Sequence, residues 1–195
     1  MVNLRIVSLA PSNTEILYAL GAGNQIVGVT TFCDYPPEAK AKQKVGGWVN
    51  VDYDAIKLLN PDIVITSTIV QEKLAEKCRE LGLNVLHLDP KNLSEVLETI
   101  RKLGDVAESK SDAEFIVKKI QAKIKEISEL TKNVKMQPRV YAEEWHKPPF
   151  VCGNWIPELI SAAGGISLIE GGRSREVMIE EIQKFDPHYM IITWC

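Results

Sequence analysis

The sequence predicts an α/β protein with two similar lobes, each built on a parallel sheet, bridged by one long α-helix. Short apolar strands alternate with helical segments along most of the chain, which is typical of parallel strands joined by crossover helices. Residues 111–132 form one amphipathic segment that is long enough to join two bodies. Two stretches of the first half recur, in the same order, in the second half.

The N-terminal lobe is assigned to residues 1–108, where strand and helix signals alternate without a break. Ser12 and Glu15 form a capping-box pattern at the start of the first helix, and Gly21 ends that helix. The apolar run at 63–65 suits a strand buried on both faces. The predicted strands are 4–9, 26–30, 62–66 and 84–88, and the predicted helices are 13–20, 52–59, 70–81 and 93–107.

The bridging segment is assigned to residues 109–135. Ser111 and Glu114 repeat the capping-box pattern, and a helix over 111–132 would span roughly 33 Å at about 1.5 Å per residue. An ordinary surface helix would have the same pattern, so its interpretation as a strut depends on the lobes on either side. Its predicted apolar stripe consists of Ala113, Ile116, Val117, Ile120, Ile124, Ile127 and Leu130.

The C-terminal lobe is assigned to residues 136–195, and its sequence indicates an internal duplication. The segment VDYDAIKLLNPDIVITS at 51–67 aligns without gaps on VMIEEIQKFDPHYMIIT at 177–193, and EILYALGA at 15–22 aligns on ELISAAGG at 158–165. The predicted strands are 139–142 and 188–193, the predicted helices are 155–163 and 179–185, and 143–154 is predicted to be a loop.

The second copy is the shorter one. In the first lobe 47 residues, 62–108, follow Pro61, whereas only eight, 188–195, follow Pro187. The C-terminal lobe is therefore predicted to be truncated, either because the chain is a fragment or because this lobe is naturally reduced.

The composition excludes several classes of function. A net charge of −3 gives no reason to expect nucleic acid as a partner, and no apolar run approaches the ~18 residues that span a bilayer. The N-terminus enters a strand without a signal-peptide pattern. The expected location is therefore outside the cytoplasm if an export signal has been removed, and cytoplasmic otherwise.

The candidate ligand site lies in the loops that follow the strands, because ligands of parallel α/β sheets collect at the carboxyl ends. Aromatic side chains facing one another across a cleft between the lobes would suit a large, flat or partly apolar small molecule, although each could instead pack within its own loop. The first turn of the first helix, with Ser12, could hold an anionic group or simply carry a helix cap. The aromatic candidates are Phe32, Tyr35, Trp48, Trp145, Phe150 and Trp194.

Catalytic and metal sites are less well supported. His146 beside Glu143 and Glu144 could do acid–base or metal chemistry, but a solvated or ligand-lining loop is the favoured interpretation. The three cysteines at strand ends, Cys33, Cys152 and Cys195, could supply thiolate ligands, although the chain has no CxxC pair. We therefore predict no catalytic residue and no metal site.

Three segments resemble a known family: SLAPSNTEILYALGAGNQIVGVTTFCDYPPEA at 8–39, GGWVNVDYDAIKLLNPDIVI at 46–65 and PPFVCGNWIPELISAAGG at 148–165. The chain resembles the helical-backbone (class III) substrate-binding proteins of ABC importers, nearest to the branch that binds cobalamin and close to the branch that binds iron siderophores. The resemblance implies two Rossmann-like lobes joined by a long helix, a ligand held between them, and a monomer.

The resemblance also implies site residues. Ring-contacting aromatics fall at Phe32, Trp48 and Phe150, whereas Ser67 stands where the cobalamin receptors have a tryptophan, and 171–175 contains none. One acidic residue on each lobe, Asp54 and Glu180, would dock on arginines of the permease. Each of these carboxylates could instead be a favourable partner of its helix dipole.

Two hypotheses follow. In the first, the protein is not an enzyme: it binds a corrinoid or a related metal chelate as transported ligand, needs no catalytic cofactor, and delivers the ligand to an ABC-importer permease. In the second, it is a cytoplasmic metal- or cofactor-handling enzyme or chaperone that uses His146 and the strand-end cysteines as ligands.

Overall fold

A computed structural model describes residues 4–193 of the chain, and it confirms the predicted α/β class. Most predicted elements are found within one to three residues of the predicted bounds. The helices are α1 (Pro11–Ala19), α2 (Tyr53–Leu58), α3 (Glu72–Glu80), α4 (Leu93–Val106), α5 (Lys110–Thr131), α6 (Ile156–Ala162) and α7 (Ile179–Phe185). The strands are β1 (Ile6–Ser8), β2 (Ile26–Val29), β3 (Gln43–Lys44), β4 (Ile63–Ser67), β5 (Val85–Leu88), β6 (Arg139–Trp145), β7 (Phe150–Val151), β8 (Ile166–Ser167), β9 (Arg175–Glu176) and β10 (Tyr189–Ile192).

The chain forms two compact units. Among the described residues, unit 1 comprises 4–89 and Thr99–Phe115, and unit 2 comprises Pro90–Glu98 and 116–193. Helix α5 contributes its first six residues to unit 1 and the rest to unit 2.

Unit 1 contains the parallel sheet that the strand signals predict. Its strands lie in the order β3-β2-β1-β4-β5, and every neighbouring pair is parallel. Strand β1 is central and fully buried, as expected for a strand covered on both faces. One side of the sheet packs in a core that includes Val7, Val45, Ile56, Val64 and Leu74.

Unit 2 contains a mixed sheet in the order β10-β6-β7-β9, with β8 beside β6. Strand β10 is parallel to β6, as predicted, but β7 runs antiparallel to both β6 and β9. The predicted loop 143–154 is therefore largely a hairpin. Its strands are too short to give a sequence period, since β7 has two residues.

The long helix α5 begins at Lys110 and ends at Thr131, one residue earlier at each end than predicted. It follows α4 almost directly, and Gly104 allows the close approach, since an added Cβ there would lie 2.4 Å from Ala113 Cβ. Ser111 lies inside the helix, so the predicted capping box is wrong. Ala113 and Val117 are buried as predicted, but Leu130 is 74% exposed and does not belong to the buried stripe.

The first helix also begins differently from the prediction. Helix α1 starts at Pro11, and Ala10 occupies the N-cap without a side-chain hydrogen bond. Ser12 is therefore not the cap, because proline already supplies the fixed backbone angle that suits the first helical position. The helix ends as predicted at Gly21, whose φ is +75°, and the corresponding helix α6 ends at Gly164 with φ +79°.

Within residues 4–193, none of the helices combines the length and the hydropathy required to cross a membrane.

Candidate functional site

The carboxyl edge of the unit 1 sheet carries most of the predicted ligand residues. Strands β1, β2 and β4 end there, and they lead into the first turn of α1, the loop after Val29 and the turn after Ser67. Ser12 is exposed in the first turn of α1. Ser67, in contrast, is only 6% exposed. It is the last residue of β4, and its side chain is buried rather than presented at the surface.

The loop that carries Phe32 is anchored by the residue next to it. Cys33 is fully buried, and its Sγ lies 3.2 Å from the hydroxyl oxygens of both Thr14 and Thr30. Phe32 itself is 61% exposed. Because the thiol is enclosed by the hydroxyl groups of Thr14 and Thr30, this cysteine serves to hold the loop, and the structure gives no support to the alternative in which it is a metal ligand.

Lys44 fixes the far end of the same loop. Its ammonium donates to the carbonyl oxygens of Cys33 (3.1 Å) and Ala39 (3.2 Å). Tyr35 lies between these attachments and is 63% exposed. The loop is therefore held at both ends while two aromatic side chains remain open to a ligand.

Trp48 lies at the tip of a tight turn. Gly47 N–H donates to Asn50 O at 2.8 Å, and Gly46 forms a bridge with Val51. Gly46 has φ +113°, and an added Cβ would lie 2.6 Å from Asn50 O, so this turn requires glycine. A Cβ added to Gly47 would lie 3.8 Å from Cε2 of Phe32. The structure therefore brings Phe32 beside the turn that presents Trp48.

Gln71 connects this turn to the sheet, and it was not among the residues predicted from the sequence. Its side chain is fully buried; Nε2 donates to the carbonyl oxygens of Trp48 (2.6 Å) and Leu9 (2.8 Å), and Oε1 accepts from Ser67 N–H (2.7 Å). In the sequence, a glutamine in the predicted helix 70–81 cannot be distinguished from an ordinary surface residue of that helix. The only available signal was its position between the apolar residue Val70 and a charged helix.

In unit 2, Phe150 and Trp145 lie directly opposite each other on β7 and β6. Phe150 is half-buried, whereas Trp145 is 55% exposed and donates from Nε1 to Lys147 O. Cross-strand aromatic pairs of this kind stabilise a hairpin. The pairing fits the alternative in which Trp145 packs within its own loop, and it also places Phe150.

Glu143 is a second polar centre of unit 2. It is 5% exposed; Tyr141 O–H donates to its Oε2 at 2.9 Å, and His146 Nδ1 lies 3.3 Å from its Oε1. Burial and the adjacent Glu143 carboxylate raise the pKa of the Tyr141 hydroxyl well above its usual range, so tyrosine remains the donor. Glu143 and His146 border an apolar cavity of about 600 Å³, which Ile179, Ile182 and Met190 also line.

The metal-site hypothesis gains no support from the geometry. Across residues 4–193, His, Cys, Asp and Glu side chains do not gather in any group of three or more that could hold a metal ion. Cys152 Sγ lies 3.1 Å from Thr193 Oγ1. Two predicted candidates, Trp194 and Cys195, lie outside the described residues.

The two predicted docking carboxylates occupy the same position in their helices. Asp54 and Glu180 are the second residues of α2 and α7, and both are exposed. Helix α2 already has an N-cap, because Asp52 Oδ1 accepts from Asp54 N–H and Ala55 N–H at 3.0 Å. The Asp54 carboxylate is thus not needed as a cap.

Comparison with known proteins matches the sequence of this chain to one family. The model of a family described as periplasmic binding protein matches residues 6–195. An ABC transporter substrate-binding lipoprotein of Bacillus subtilis, YvrC, described as uncharacterized, is 38% identical over 134 residues, which cover 67% of this chain and 42% of that protein. A vitamin B12-binding protein of Vibrio cholerae is 28% identical over 169 residues, which cover 84% of this chain and 60% of that protein.

A solved structure agrees with these matches. The crystal structure described as that of a possible iron-binding (periplasmic solute-binding) protein from Staphylococcus epidermidis has a TM-score of 0.80 and 25% identity, over 97% of this chain and 76% of that one. The chain spans less than two thirds of the length of the two relatives above. The resemblance found in the sequence is confirmed, and the chain belongs to the periplasmic binding protein family.

Proposed function

We propose that the protein is a substrate-binding protein of an ABC importer, which captures a corrinoid or a related metal chelate outside the cytoplasm and delivers it to the permease. The observation that carries the proposal is the pair of aromatic residues, Phe32 and Trp48, on the carboxyl edge of the unit 1 sheet. The family contains solute-binding proteins, and we propose no catalytic step for this chain.

The chemistry of this edge favours a flat, partly apolar ligand. Phe32 and Tyr35 expose more than half of their surface on a loop fixed by Cys33 and Lys44. An aromatic side chain that is exposed on a rigid support can bury apolar ligand surface at little cost in conformational entropy. A corrin or porphyrin ring presents a surface of this kind.

The corrinoid is favoured over other chelates because several of the curated relatives are vitamin B12-binding proteins. Ser67 replaces a tryptophan that the resemblance leads us to expect, and it is buried. This departure is the reason to test neighbouring ligand classes together with cobalamin. Haem and ferric siderophores are the competing ligands.

The proposal is tested by titrating the protein with cobalamin, cobinamide, haemin and a ferric siderophore, by calorimetry and by tryptophan fluorescence. We expect saturable binding of a corrinoid. Trp48→Ala should weaken binding by about tenfold or more, as expected for an aromatic anchor worth about 2 kcal/mol.

The matched control is Trp155→Phe, a half-buried tryptophan at the N-cap of α6 in unit 2 that is not among the residues proposed to bind the ligand. It should bind as the unchanged protein does. Saturable binding of haemin or a siderophore alone would replace the corrinoid as ligand. If none of the four compounds binds, the proposed function is wrong.

A further inference from the structure

We propose that Gln71 is a positioning residue, which holds Trp48 on the carboxyl edge of unit 1 before any ligand arrives. This role rests on the proposed function, because Gln71 would prepare the surface that binds the proposed ligand. Its geometric basis is independent of the ligand.

The Gln71 side chain joins three separate segments of the chain. Its two donated bonds reach the end of β1 at Leu9 O and the turn at Trp48 O, and its accepted bond comes from the end of β4 at Ser67 N–H. The three distances lie between 2.6 and 2.8 Å, and the side chain has no exposed surface. Gln71 therefore ties the Trp48 turn to the two central strands.

Other side chains could not make this junction. Two donors and one acceptor are required, and among the side chains of this length only glutamine offers both from one planar amide. Glutamate would place its charge against two carbonyl oxygens, and leucine would leave all three backbone groups unpaired. Each unpaired buried group carries a desolvation cost.

The backbone around Gln71 is arranged to point its side chain inward. Thr68 N–H donates to Leu88 O at 2.8 Å, and Gln71 N–H donates to Thr68 O at 3.0 Å. The intervening residues Ile69 and Val70 are 50% and 54% exposed. This turn buries an amide and exposes two apolar residues, which reverses the usual pattern of burial and indicates that the buried amide has a specific role.

Fixing Trp48 before the ligand arrives lowers the conformational-entropy cost of ligand binding. The Trp48 carbonyl belongs to the same residue as the indole ring, and Gln71 fixes its position through the hydrogen bond from Nε2. A ring that is already ordered loses less conformational entropy when a ligand stacks on it. Removing Gln71 should therefore weaken ligand binding through disorder of Trp48, without removing any ligand contact.

The experiment uses a variant in which Trp48 is the only tryptophan, made by Trp145→Phe, Trp155→Phe and Trp194→Phe. In this background we introduce Gln71→Leu, and we measure acrylamide quenching and the fluorescence anisotropy decay of Trp48 without ligand. We expect a higher quenching constant and a faster local rotation. The affinity for whichever ligand the unchanged protein binds should fall by about tenfold or more.

The matched control is Arg5→Leu, which removes three side-chain hydrogen bonds at the opposite edge of the same sheet, to Leu59 O and Asn60 O. It should lower stability but leave the quenching of Trp48 unchanged. Gln71→Asn, with a shorter side chain that cannot reach all three partners, provides a milder variant and should increase quenching as well.

The two proposals fail separately. If Gln71→Leu and Gln71→Asn leave the mobility of Trp48 as it was, or if Arg5→Leu increases it equally, Gln71 is not a positioning residue, whatever the protein binds. If the unchanged protein binds none of the probes, the proposed function is wrong, and the quenching experiment still decides the role of Gln71.

Discussion

The Nε atoms of Arg5 and Arg139 make equivalent contacts, each with the end of a helix in its own unit. Arg5 Nε donates to the carbonyl oxygens of Leu59 and Asn60 at the end of α2, and Arg139 Nε donates to those of Phe185 and Asp186 at the end of α7. Each arginine thus satisfies the last carbonyl groups of a helix, which have no partner within it. Leu59 and Phe185 are aligned in the sequence repeat, so these contacts support the duplication.

The same equivalence predicts the effect of changing His188. Arg5 N–H donates to Asp62 Oδ2 at 2.7 Å, and at the aligned position Arg139 N–H donates to His188 Nδ1 at 2.9 Å. We expect His188→Asp to preserve this bond, whereas His188→Leu leaves the Arg139 N–H without its acceptor at a cost of about 1 kcal/mol. Native-state hydrogen exchange at Arg139 measures the difference. Equal protection in both variants would contradict the assigned equivalence.

The turn that presents Trp48 contains two adjacent glycines with opposite tolerances. Gly46→Ala should destabilise the protein by about 2 kcal/mol or more, because φ is +113° and the new Cβ would lie 2.6 Å from Asn50 O and 2.8 Å from Val51 Cα. Gly47→Ala is the control, since its nearest contact would be 3.7 Å. Urea unfolding, followed by Trp48 fluorescence in the single-tryptophan variant, checks both. A larger loss for Gly47→Ala would show that the turn is built differently.

Much of this architecture could be predicted, because the long elements bury regular apolar patterns. Helix α5 and the four main strands of unit 1 are found close to their expected bounds. The two-residue strands β3, β7, β8 and β9 could not be predicted, since a pair of residues has no period and its assignment depends on a partner distant in sequence. The predicted capping residues were also wrong, because α1 begins at Pro11 and α5 at Lys110, so that Ser12 and Ser111 lie inside the helices.

The site was predictable only in part, for a related reason. Aromatic residues after strands, such as Phe32 and Trp48, are visible in the sequence. The residues that hold them, Cys33 and Gln71, act through buried contacts with segments many positions away. A single polar residue or cysteine in a sequence does not reveal such contacts.

Thr68 offers a test of backbone strain at the carboxyl edge. Its φ of 61° and ψ of 159° lie in a region that is essentially reserved for glycine, at a cost of about 1–3 kcal/mol, and within the described residues its buried Oγ1 has no hydrogen-bond partner. Thr68→Gly should therefore stabilise unit 1 by about 1 kcal/mol, after the entropy lost by glycine is deducted. Asn60→Gly, at φ 43°, is the control, because asparagine tolerates this conformation. A loss of stability in Thr68→Gly would mean that the threonine side chain contributes packing that outweighs the strain.

Asp54 and Glu180 are predicted to contact the permease, since each is an exposed carboxylate at the second position of its helix. Reversing both charges, with Asp54→Arg and Glu180→Arg, should leave ligand affinity unchanged but reduce by ~10-fold or more the stimulation of permease ATPase activity in reconstituted vesicles. The effect should diminish at high salt, because exposed charges are screened. Glu76→Arg and Glu170→Arg change the net charge equally at other exposed sites, and they should retain stimulation. If the control pair loses stimulation to the same extent, net charge rather than a specific contact governs docking, and the roles assigned to Asp54 and Glu180 fail.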